Sequence, residues 1–187
     1  MEFNLRVMNL GKKISIGIIG IIAVPLVLAI FLPSSYQVER TIDITKPASD
    51  VFAFIRLLKN QDQYSVWAKR DPDMKKIFRG EDGTVGFVSR WESQVKDVGV
   101  GEQEIKMINV ETLEMQTELR FFEPFEGTER SYMKVSSLDP KKSKVIWGFD
   151  GSMPYPFNLM LLFMNFEEMI GNDFEEGLSN LKQVLEK

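Results

Sequence analysis

Cysteine and histidine are both missing from this sequence of 187 residues. Without cysteine the chain forms no disulfide and offers no thiol nucleophile and no thiolate ligand for zinc or an iron–sulfur cluster. Without histidine it lacks the usual general base and the commonest metal-binding side chain. These two absences exclude Ser-His-Asp and Cys-His catalysis within the chain. The other residues show no metal-ligand spacing, so we expect no metal and no cofactor.

An excess of charge of one sign is missing too. The 23 Lys and Arg residues against 27 Asp and Glu give a net charge of −4, and neither sign forms a long run. A mildly acidic chain without a basic patch repels a phosphate backbone, which argues against a nucleic-acid partner. The hydrophobic fraction of 44% is that of a globular protein rather than a disordered one.

Charged residues are absent throughout residues 14–32, ISIGIIGIIAVPLVLAIFL. As a helix this run is about 28 Å long, close to the thickness of the hydrocarbon core of a bilayer. Pro25 lies inside it, and a membrane helix tolerates an internal proline better than a soluble helix does. We therefore predict one transmembrane helix over residues 14–32. A buried core helix is the alternative, but it would need cover on every side, and the rest of the chain has the apolar strands and helix to complete its own core.

The residues that flank this run predict its orientation. Arg6, Lys12 and Lys13 precede it, whereas the first charge after it is Glu39. By the positive-inside rule, residues 1–13 form a cytoplasmic tail and the domain that follows lies on the extracytoplasmic side. A cleavable signal peptide is the alternative, but its apolar region usually has about 7–15 residues and ends at small side chains. Here the run is longer and leaves through IFLPSS at residues 30–35, so we expect an anchor that is not cleaved.

Residues 36–187 predict a single domain of the α+β class. Apolar and polar residues alternate over residues 36–44, which indicates a half-buried strand, and PASD at residues 47–50 begins a helix. A second short helix or an irregular connection is expected at residues 60–67. Six further strands are expected at residues 74–79, 86–93, 101–110, 111–122, 129–138 and 144–151. Apolar residues spaced by three and four predict a long helix over residues 158–186.

Several motifs in this region resemble the SRPBCC superfamily. They are PASDVF at residues 47–52, WAKRDP at 67–72, Val85-Gly86 leading to Trp91-Glu92, and WGF at 147–149. The superfamily includes START lipid-transfer domains, the birch-pollen allergen and polyketide cyclase/dehydrase-like proteins. MPYPFNLM at residues 153–160 resembles the cyclase-like members that carry an N-terminal membrane segment. Relatives often have tryptophans before the Trp67 position, whereas this chain has Gln61 and Tyr64, so we expect a different cavity entrance.

The resemblance implies a helix-grip fold, in which a curved antiparallel sheet of about seven strands surrounds a long C-terminal helix and a cavity lies between them. Strand register and the helix stripe select its walls, and the pliable methionines suit an irregular apolar ligand. The predicted ligand-cavity residues are Trp67, Ser89, Trp91, Gln103, Ile105, Met107, Met115, Thr117, Leu119, Phe121, Met133, Trp147, Phe149, Phe163, Phe166 and Ile170. The same residues would equally form an ordinary packed core.

Polar residues in the inward register are fewer. Ser89, Gln103, Thr117 and Ser131 are placed to hydrogen-bond a ligand carbonyl or hydroxyl. Arg40 shares its parity with inward residues, so it either binds a carboxylate or extends its charged end to water. MPYPFNLMLLFM at residues 153–164 is apolar all round, which predicts contact with the bilayer or a partner unless Trp67 and the preceding connection cover it.

The function that these observations favour is a membrane-anchored, non-catalytic binding domain for a hydrophobic small molecule or lipid. One alternative is an enzyme of the polyketide cyclase/dehydrase type that acts on an apolar substrate without a metal, histidine or cysteine. Another is a domain without a cavity that binds a second envelope protein. The sequence identifies no catalytic residue and does not identify the ligand.

Overall fold

The computed structural model describes residues 10–187, without the side chains at positions 10–13, 16 and 17. The predicted cytoplasmic tail therefore lies outside the described residues, apart from the backbone of its last four positions. The chain divides into two compact units. The first contains the described part of Met1–Ser35 together with Met153–Asn165, and the second contains Tyr36–Ser152 and Phe166–Lys187. Residues 153–165 of the predicted domain are thus grouped with the first unit.

The first unit is built on helix α1, which spans Leu10–Phe31 and contains Pro25. Most of the large apolar side chains described in α1 are exposed, namely Ile14, Ile18, Ile19, Ile21, Ile22, Val24, Val27, Leu28, Ile30 and Phe31. Among residues 10–187, with the six side chains named above left aside, no helix is long and apolar enough to cross a membrane.

A 3₁₀ helix at Phe157–Leu162 completes the first unit. Asn158 is 2% exposed, and its side-chain amide donates to the carbonyl oxygens of Ala29 at 2.7 Å and Leu32 at 3.3 Å. The last carbonyls of a helix have no partner within the helix, so Asn158 satisfies one at the end of α1. The amide of Met153 also donates to the Ser34 carbonyl at 2.8 Å.

The second unit consists of a seven-stranded antiparallel sheet and a long C-terminal helix, which confirms the predicted α+β, helix-grip architecture. The strands are β1 (Ser35–Ile44), β2 (Lys75–Arg79), β3 (Val88–Glu92), β4 (Val100–Asn109), β5 (Glu114–Glu123), β6 (Gly127–Asp139) and β7 (Lys142–Ser152). Their order across the sheet is β1-β7-β6-β5-β4-β3-β2. Between β1 and β2 lie α2 (Ala48–Ile55), a 3₁₀ helix (Leu58–Gln63) and α3 (Val66–Arg70).

The C-terminal helix is shorter than the sequence predicted. Helix α4 spans Phe166–Leu185, whereas the expected helix began at residue 158. The earlier residues form the separate 3₁₀ helix because Asn158 is bonded to the end of α1. Helix α4 begins where Glu167 and Glu168 place negative charge in its first turn, which stabilises a helix N-terminus.

The core of the second unit lies between one face of the sheet and α2, α3 and α4. Its largest fully buried side chains include Tyr64, Phe87, Ile105, Met115 and Met133. Helix α4 contributes a buried stripe of Phe174, Gly177, Leu178 and Leu181. A Cβ at Gly177 would lie 2.8 Å from the ring of Trp147, so glycine allows α4 to pack closely against β7.

Candidate ligand-binding cavity

A cavity of about 420 Å³ lies in the second unit, between α4 and the concave face of the sheet. This volume is within the range of about 300–1,000 Å³ that is usual for small-molecule sites. Its walls come from every layer of the unit. They are formed by Leu58, Gln61, Asp62, Ser65, Trp67, Ala68, Met74, Lys76, Ser89, Trp91, Lys96, Asp97, Val98, Gln103, Leu119, Phe121, Glu123, Pro124, Phe125, Ser131, Trp147, Phe149, Ile170 and Phe174.

One wall is a cluster of three aromatic rings. Phe174 stacks on Trp147 with ring centroids 4.5 Å apart. Trp67 meets both rings edge-on, at 6.1 Å from Phe174 and 6.3 Å from Trp147. Arg70 ties α3 to α4 through two hydrogen bonds to the Asp173 carboxylate, at 3.0 and 2.5 Å, and these bonds raise the pKa of its guanidinium. The ion pair holds the helix that carries Trp67.

A second aromatic pair forms the wall on β3 and β5. Trp91 meets Phe121 edge-on at 6.1 Å, and its indole N–H donates to the Val98 carbonyl at 3.2 Å. Trp91 lies over Gly101, where a Cβ would come within 2.5 Å of the ring. Glycine is therefore required for the indole to lie flat on the sheet. All 3 tryptophans of the chain line this cavity.

The buried polar groups of the sheet form a chain of hydrogen bonds beside the cavity. Gln103 is 9% exposed, and its side-chain amide donates to Thr117 Oγ1 at 2.9 Å. The Thr117 hydroxyl donates to the Ser131 carbonyl at 3.3 Å, and the Ser131 hydroxyl donates to the Gly148 carbonyl at 2.9 Å. Gln103 and Ser131 line the cavity, and Thr117 holds the Gln103 amide in place from behind.

Charged residues line the cavity at exposed positions. Asp62, Lys96, Asp97 and Glu123 are exposed, and Lys76 is paired with Asp62. Among the residues that the structure describes, no group of three acidic side chains is placed to hold a metal ion. The deep part of the cavity is therefore apolar, with an amide and hydroxyls as its polar groups.

Nine of the predicted cavity residues line this space, and they come from α3, β3, β4, β5, β7 and α4. They are Trp67, Ser89, Trp91, Gln103, Leu119, Phe121, Trp147, Phe149 and Ile170. Ile105, Met115 and Met133 are instead packed in the core at 0–2% exposure. Thr117 is 2% exposed and lies behind Gln103.

Three predicted residues are placed elsewhere, for identifiable reasons. A β-bulge between Ile105 and Met107 shifts the register of β4, so that Met107 pairs with Gln116 on the opposite face of the sheet. Phe163 precedes α4, belongs to the first unit and is 85% exposed. Phe166 begins α4 but stacks on Tyr36 at 5.4 Å instead of reaching the cavity.

Sequence reasoning missed the wall residues that come from irregular segments. Lys96, Asp97 and Val98 lie in the β3–β4 connection, and Pro124 and Phe125 lie in the β5–β6 turn. Such segments have no periodicity from which an inward side can be read. Phe125 lies between Pro124 and Glu126, and the proline is the signal in the sequence that indicates a turn there.

Arg40 does not face the cavity. Its guanidinium donates to Glu167 Oε1 and to Glu175 Oε1, both at 2.6 Å, and these hydrogen bonds raise its pKa. It lies over Gly171, where a Cβ would come within 2.1 Å of it. Arg40 therefore joins β1 to α4, and of the two alternatives predicted for it, binding of a ligand carboxylate in the cavity is not the one observed.

No protein-family model matches this sequence, and no curated protein matches it. Solved structures do resemble the fold. Norcoclaurine synthase from Thalictrum flavum, in complex with dopamine and hydroxybenzaldehyde, has a TM-score of 0.57 at 10% identity, over 86% of this chain and 92% of its own. Ara h 8.0201 has a TM-score of 0.53 at 14% identity, over 82% and 99%. An uncharacterised protein from Bacillus thuringiensis has a TM-score of 0.56 at 15% identity, over 81% and 100%. These likenesses show the fold alone, an antiparallel sheet that surrounds a long C-terminal helix.

Proposed function

We propose that this protein is a membrane-anchored domain that binds a hydrophobic small molecule or lipid in the cavity between the sheet and α4. The observation that carries the proposal is a cavity of about 420 Å³ with aromatic and aliphatic walls, beside a core of buried apolar side chains. Apolar surface that faces a void gains no packing energy, whereas an apolar ligand in that void recovers it. A fold neighbour, norcoclaurine synthase, holds two small organic molecules, so the fold accommodates ligands of this size.

Binding is favoured over acid–base catalysis by the placement of the carboxylates. The acidic residues that line the cavity are Asp62, Asp97 and Glu123, which are all exposed. The buried polar residues of the wall are Ser65, Gln103 and Ser131, which are neutral. An amide and two hydroxyls orient a ligand but are poor proton-transfer groups at neutral pH.

Native mass spectrometry of the full-length chain, purified from its own cells, tests the binding proposal. We expect a bound hydrophobic molecule in the wild type. Leu119→Trp should lose it, because the larger side chain fills the cavity. Leu138→Trp is the matched control, since Leu138 is 47% exposed and lies outside the cavity. Retention of the molecule by Leu119→Trp, or its absence from the wild type, would contradict the proposal.

The membrane anchor is supported by the sequence run taken as a whole. Residues 14–32 contain no charge and, as a helix, are about 28 Å long. The exposed isoleucines and valines of α1 also need an apolar surrounding. The basic residues before the run support an orientation with the N-terminus in the cytoplasm and the cavity domain outside it.

Residues 153–165 are proposed to lie at the membrane surface beside the end of α1. Asn158 joins this segment to the Ala29 carbonyl, near that end of the helix. The segment carries no charge, and Phe157, Leu162 and Phe163 are 63%, 56% and 85% exposed. Aromatic and aliphatic side chains of this kind partition into the bilayer interface.

Two measurements test the anchor. After alkaline carbonate extraction we expect the full-length chain to stay in the membrane fraction and an Ile22→Arg, Val27→Arg variant to be released. Val110→Arg, Leu138→Arg is the control, since both positions are exposed in the second unit. A reporter fused after Lys187 should be active only if it works outside the cytoplasm. Release of the wild type contradicts the anchor, and activity of a cytoplasm-only reporter reverses the orientation.

A further inference from the structure

The side-chain amide of Gln103 is a hydrogen-bonding group in the cavity wall that is only half used. One amide hydrogen is donated to Thr117 Oγ1. Among the residues that the structure describes, nothing is hydrogen-bonded to its carbonyl oxygen Oε1. The residue is more than nine-tenths buried and lines the cavity. Oε1 is accessible from the cavity, so a ligand that displaces water from this position must replace the hydrogen bond that water makes to it.

The hydrogen-bond chain behind Gln103 determines which end of the amide faces the cavity. The single hydroxyl hydrogen of Thr117 is directed to the Ser131 carbonyl. Thr117 Oγ1 can therefore only accept from Gln103, which places the NH₂ group toward Thr117 and frees Oε1. Ser131 is held in turn by its hydrogen bond to the Gly148 carbonyl. The wall thus offers an oriented acceptor to whatever fills the cavity.

A second polar group lies next to this acceptor. Ser89 on β3 is paired directly with Gln103 on β4, so both side chains are on the concave face, and both line the cavity. Within the described chain the Ser89 hydroxyl has no hydrogen-bond partner either. A hydroxyl both donates and accepts. The pair therefore matches a ligand group that donates to Gln103 Oε1 and accepts from Ser89.

The charges around the cavity exclude a buried anion at this position. A buried carboxylate needs a paired cation. Among the described residues, the cations that line the cavity are Lys76 and Lys96, of which Lys76 is paired with Asp62 and Lys96 is exposed. Neither lies on the strands that carry Ser89 and Gln103.

From these observations we infer that the ligand is a neutral hydrophobe with a hydroxyl group, such as a long-chain or ring alcohol, whose hydroxyl donates to Gln103 Oε1 and accepts from Ser89. This inference rests on the proposed binding function and adds the chemical class of the ligand. The hydroxyl lies deep in the cavity and the apolar part lies among the aromatic walls.

The test uses the full-length chain in lipid nanodiscs and the three tryptophans of the cavity as reporters. Fluorescence quenching is measured with a medium-chain bromoalkanol and with its methyl ether, which lacks the donor. We expect the wild type to bind the alcohol about tenfold more tightly, relative to the ether, than Gln103→Leu does. Comparing this ratio between variants cancels the different partitioning of the two probes into lipid. Gln116→Leu, the same change on the opposite face of β5, should keep the wild-type ratio.

The outcomes separate this inference from the function on which it rests. If both probes bind but Gln103→Leu leaves their ratio unchanged, the inference is wrong and the binding function stands. If Gln103→Leu raises the preference for the alcohol, Gln103 Oε1 does not accept from the ligand hydroxyl and the inference is also wrong. If a bromo fatty acid binds the wild type more tightly than the alcohol, the ligand is an acid and the neutral class is overturned. If no probe quenches the wild type, the proposed function itself fails.

Discussion

The two ends of the space between the sheet and α4 are built from the same strands but are filled differently. At one end Met115 of β5 and Leu181 of α4 are 1% and 0% exposed and belong to a packed core. At the other end Leu119 and Phe121 of β5, with Ile170 of α4, enclose a void. The cavity is therefore not a consequence of loose packing throughout the domain. Strand β5 contributes to both ends, through Met115 at the packed end and through Leu119 and Phe121 at the other.

Aromatic rings account for the difference. Trp147, Phe174 and Trp67 pack on one another along one wall, and Trp91 packs on Phe121 along another. These rigid side chains gain their contacts within a wall rather than across the void. At the packed end, the flexible side chains of Met115, Met133 and Leu181 are only 0–2% exposed. Stiff walls keep one end open while pliable side chains close the other.

The largest expected effect is at the packed end. Leu181→Ala should destabilise the full-length chain by about 3 kcal/mol, because it leaves a new cavity in a filled core. Thermal and urea unfolding measure the loss. A loss below about 1 kcal/mol would show that this end also tolerates voids, and the contrast between the two ends would disappear.

Gly177→Val tests the boundary between the two ends. The added side chain would meet the ring of Trp147, which lies within 2.8 Å of the Cβ position and also lines the cavity. We expect about 2 kcal/mol of destabilisation from overpacking. Because Trp147 must shift, its fluorescence emission should shift as well. An unchanged emission spectrum would show that α4, rather than the ring, moves away.

Leu119→Ala is the same chemical change as Leu181→Ala, made at the end that encloses the cavity, here called the hollow end. We expect it to lower the free energy of unfolding by only about 1 kcal/mol, because part of the leucine side chain already faces the void. Binding of the bromoalkanol should weaken at the same time. A stability loss equal to that of Leu181→Ala would mean that the cavity is closed in solution.

The smallest effect is expected on the outer face of the hollow end. Arg120 donates to Glu104 at 2.8 Å and to Glu102 at 2.9 Å, on the side of β4 and β5 opposite the cavity. The hydrogen bond from Arg120 lowers the pKa of Glu104 below its ordinary value of 4.5. A carboxylate whose pKa is lower in the folded state stabilises the fold above its unfolded-state pKa and loses this effect as the pH falls through the folded-state value.

Stability should therefore decline as the pH falls below about 4.5, and Arg120→Met should make that decline shallower. At neutral pH the free energy of unfolding of this variant should be lower than that of the wild type by less than about 1 kcal/mol, as is usual for partly exposed ion pairs. Urea midpoints across this pH range, compared with those of Lys134→Met, provide the measurement. Parallel pH curves for wild type and Arg120→Met would show that the network contributes nothing to stability.

The sheet was predictable from sequence because alternation is a strong local signal. Leu113, Met115, Thr117, Leu119 and Phe121 alternate with polar residues, and this pattern identified both the strand and its inner face. The same parity placed Trp91, Gln103 and Trp147 on the cavity side. Parity does not show where a core ends and a void begins, so Met115 and Phe121 were given the same role.

The errors arose where backbone geometry overrides parity. The bulge before Met107 reverses the face of Met107 and of the residues that follow it in β4, without a clear signal in composition. Because the helix was expected to begin at residue 158, Phe163 and Phe166 were wrongly predicted to line the cavity. Asn158 was the informative residue there, but its role depends on a carbonyl 129 residues earlier in the chain. No local pattern reveals a partner at such a distance.

The hydrogen bonds between Asn158 and the end of α1 make the N-terminal segment part of the folded structure rather than a simple tether. A simple tether is removable, and trimming it leaves the folded part intact. Here the amides of Met153 and Asn158 use the carbonyls of Ser34, Ala29 and Leu32 as acceptors. A truncation at residue 36 would remove all of these acceptors and leave thirteen residues, Met153–Asn165, without the partner they fold against. Helix α1 is thus a folding partner of residues 153–165 as well as a proposed anchor.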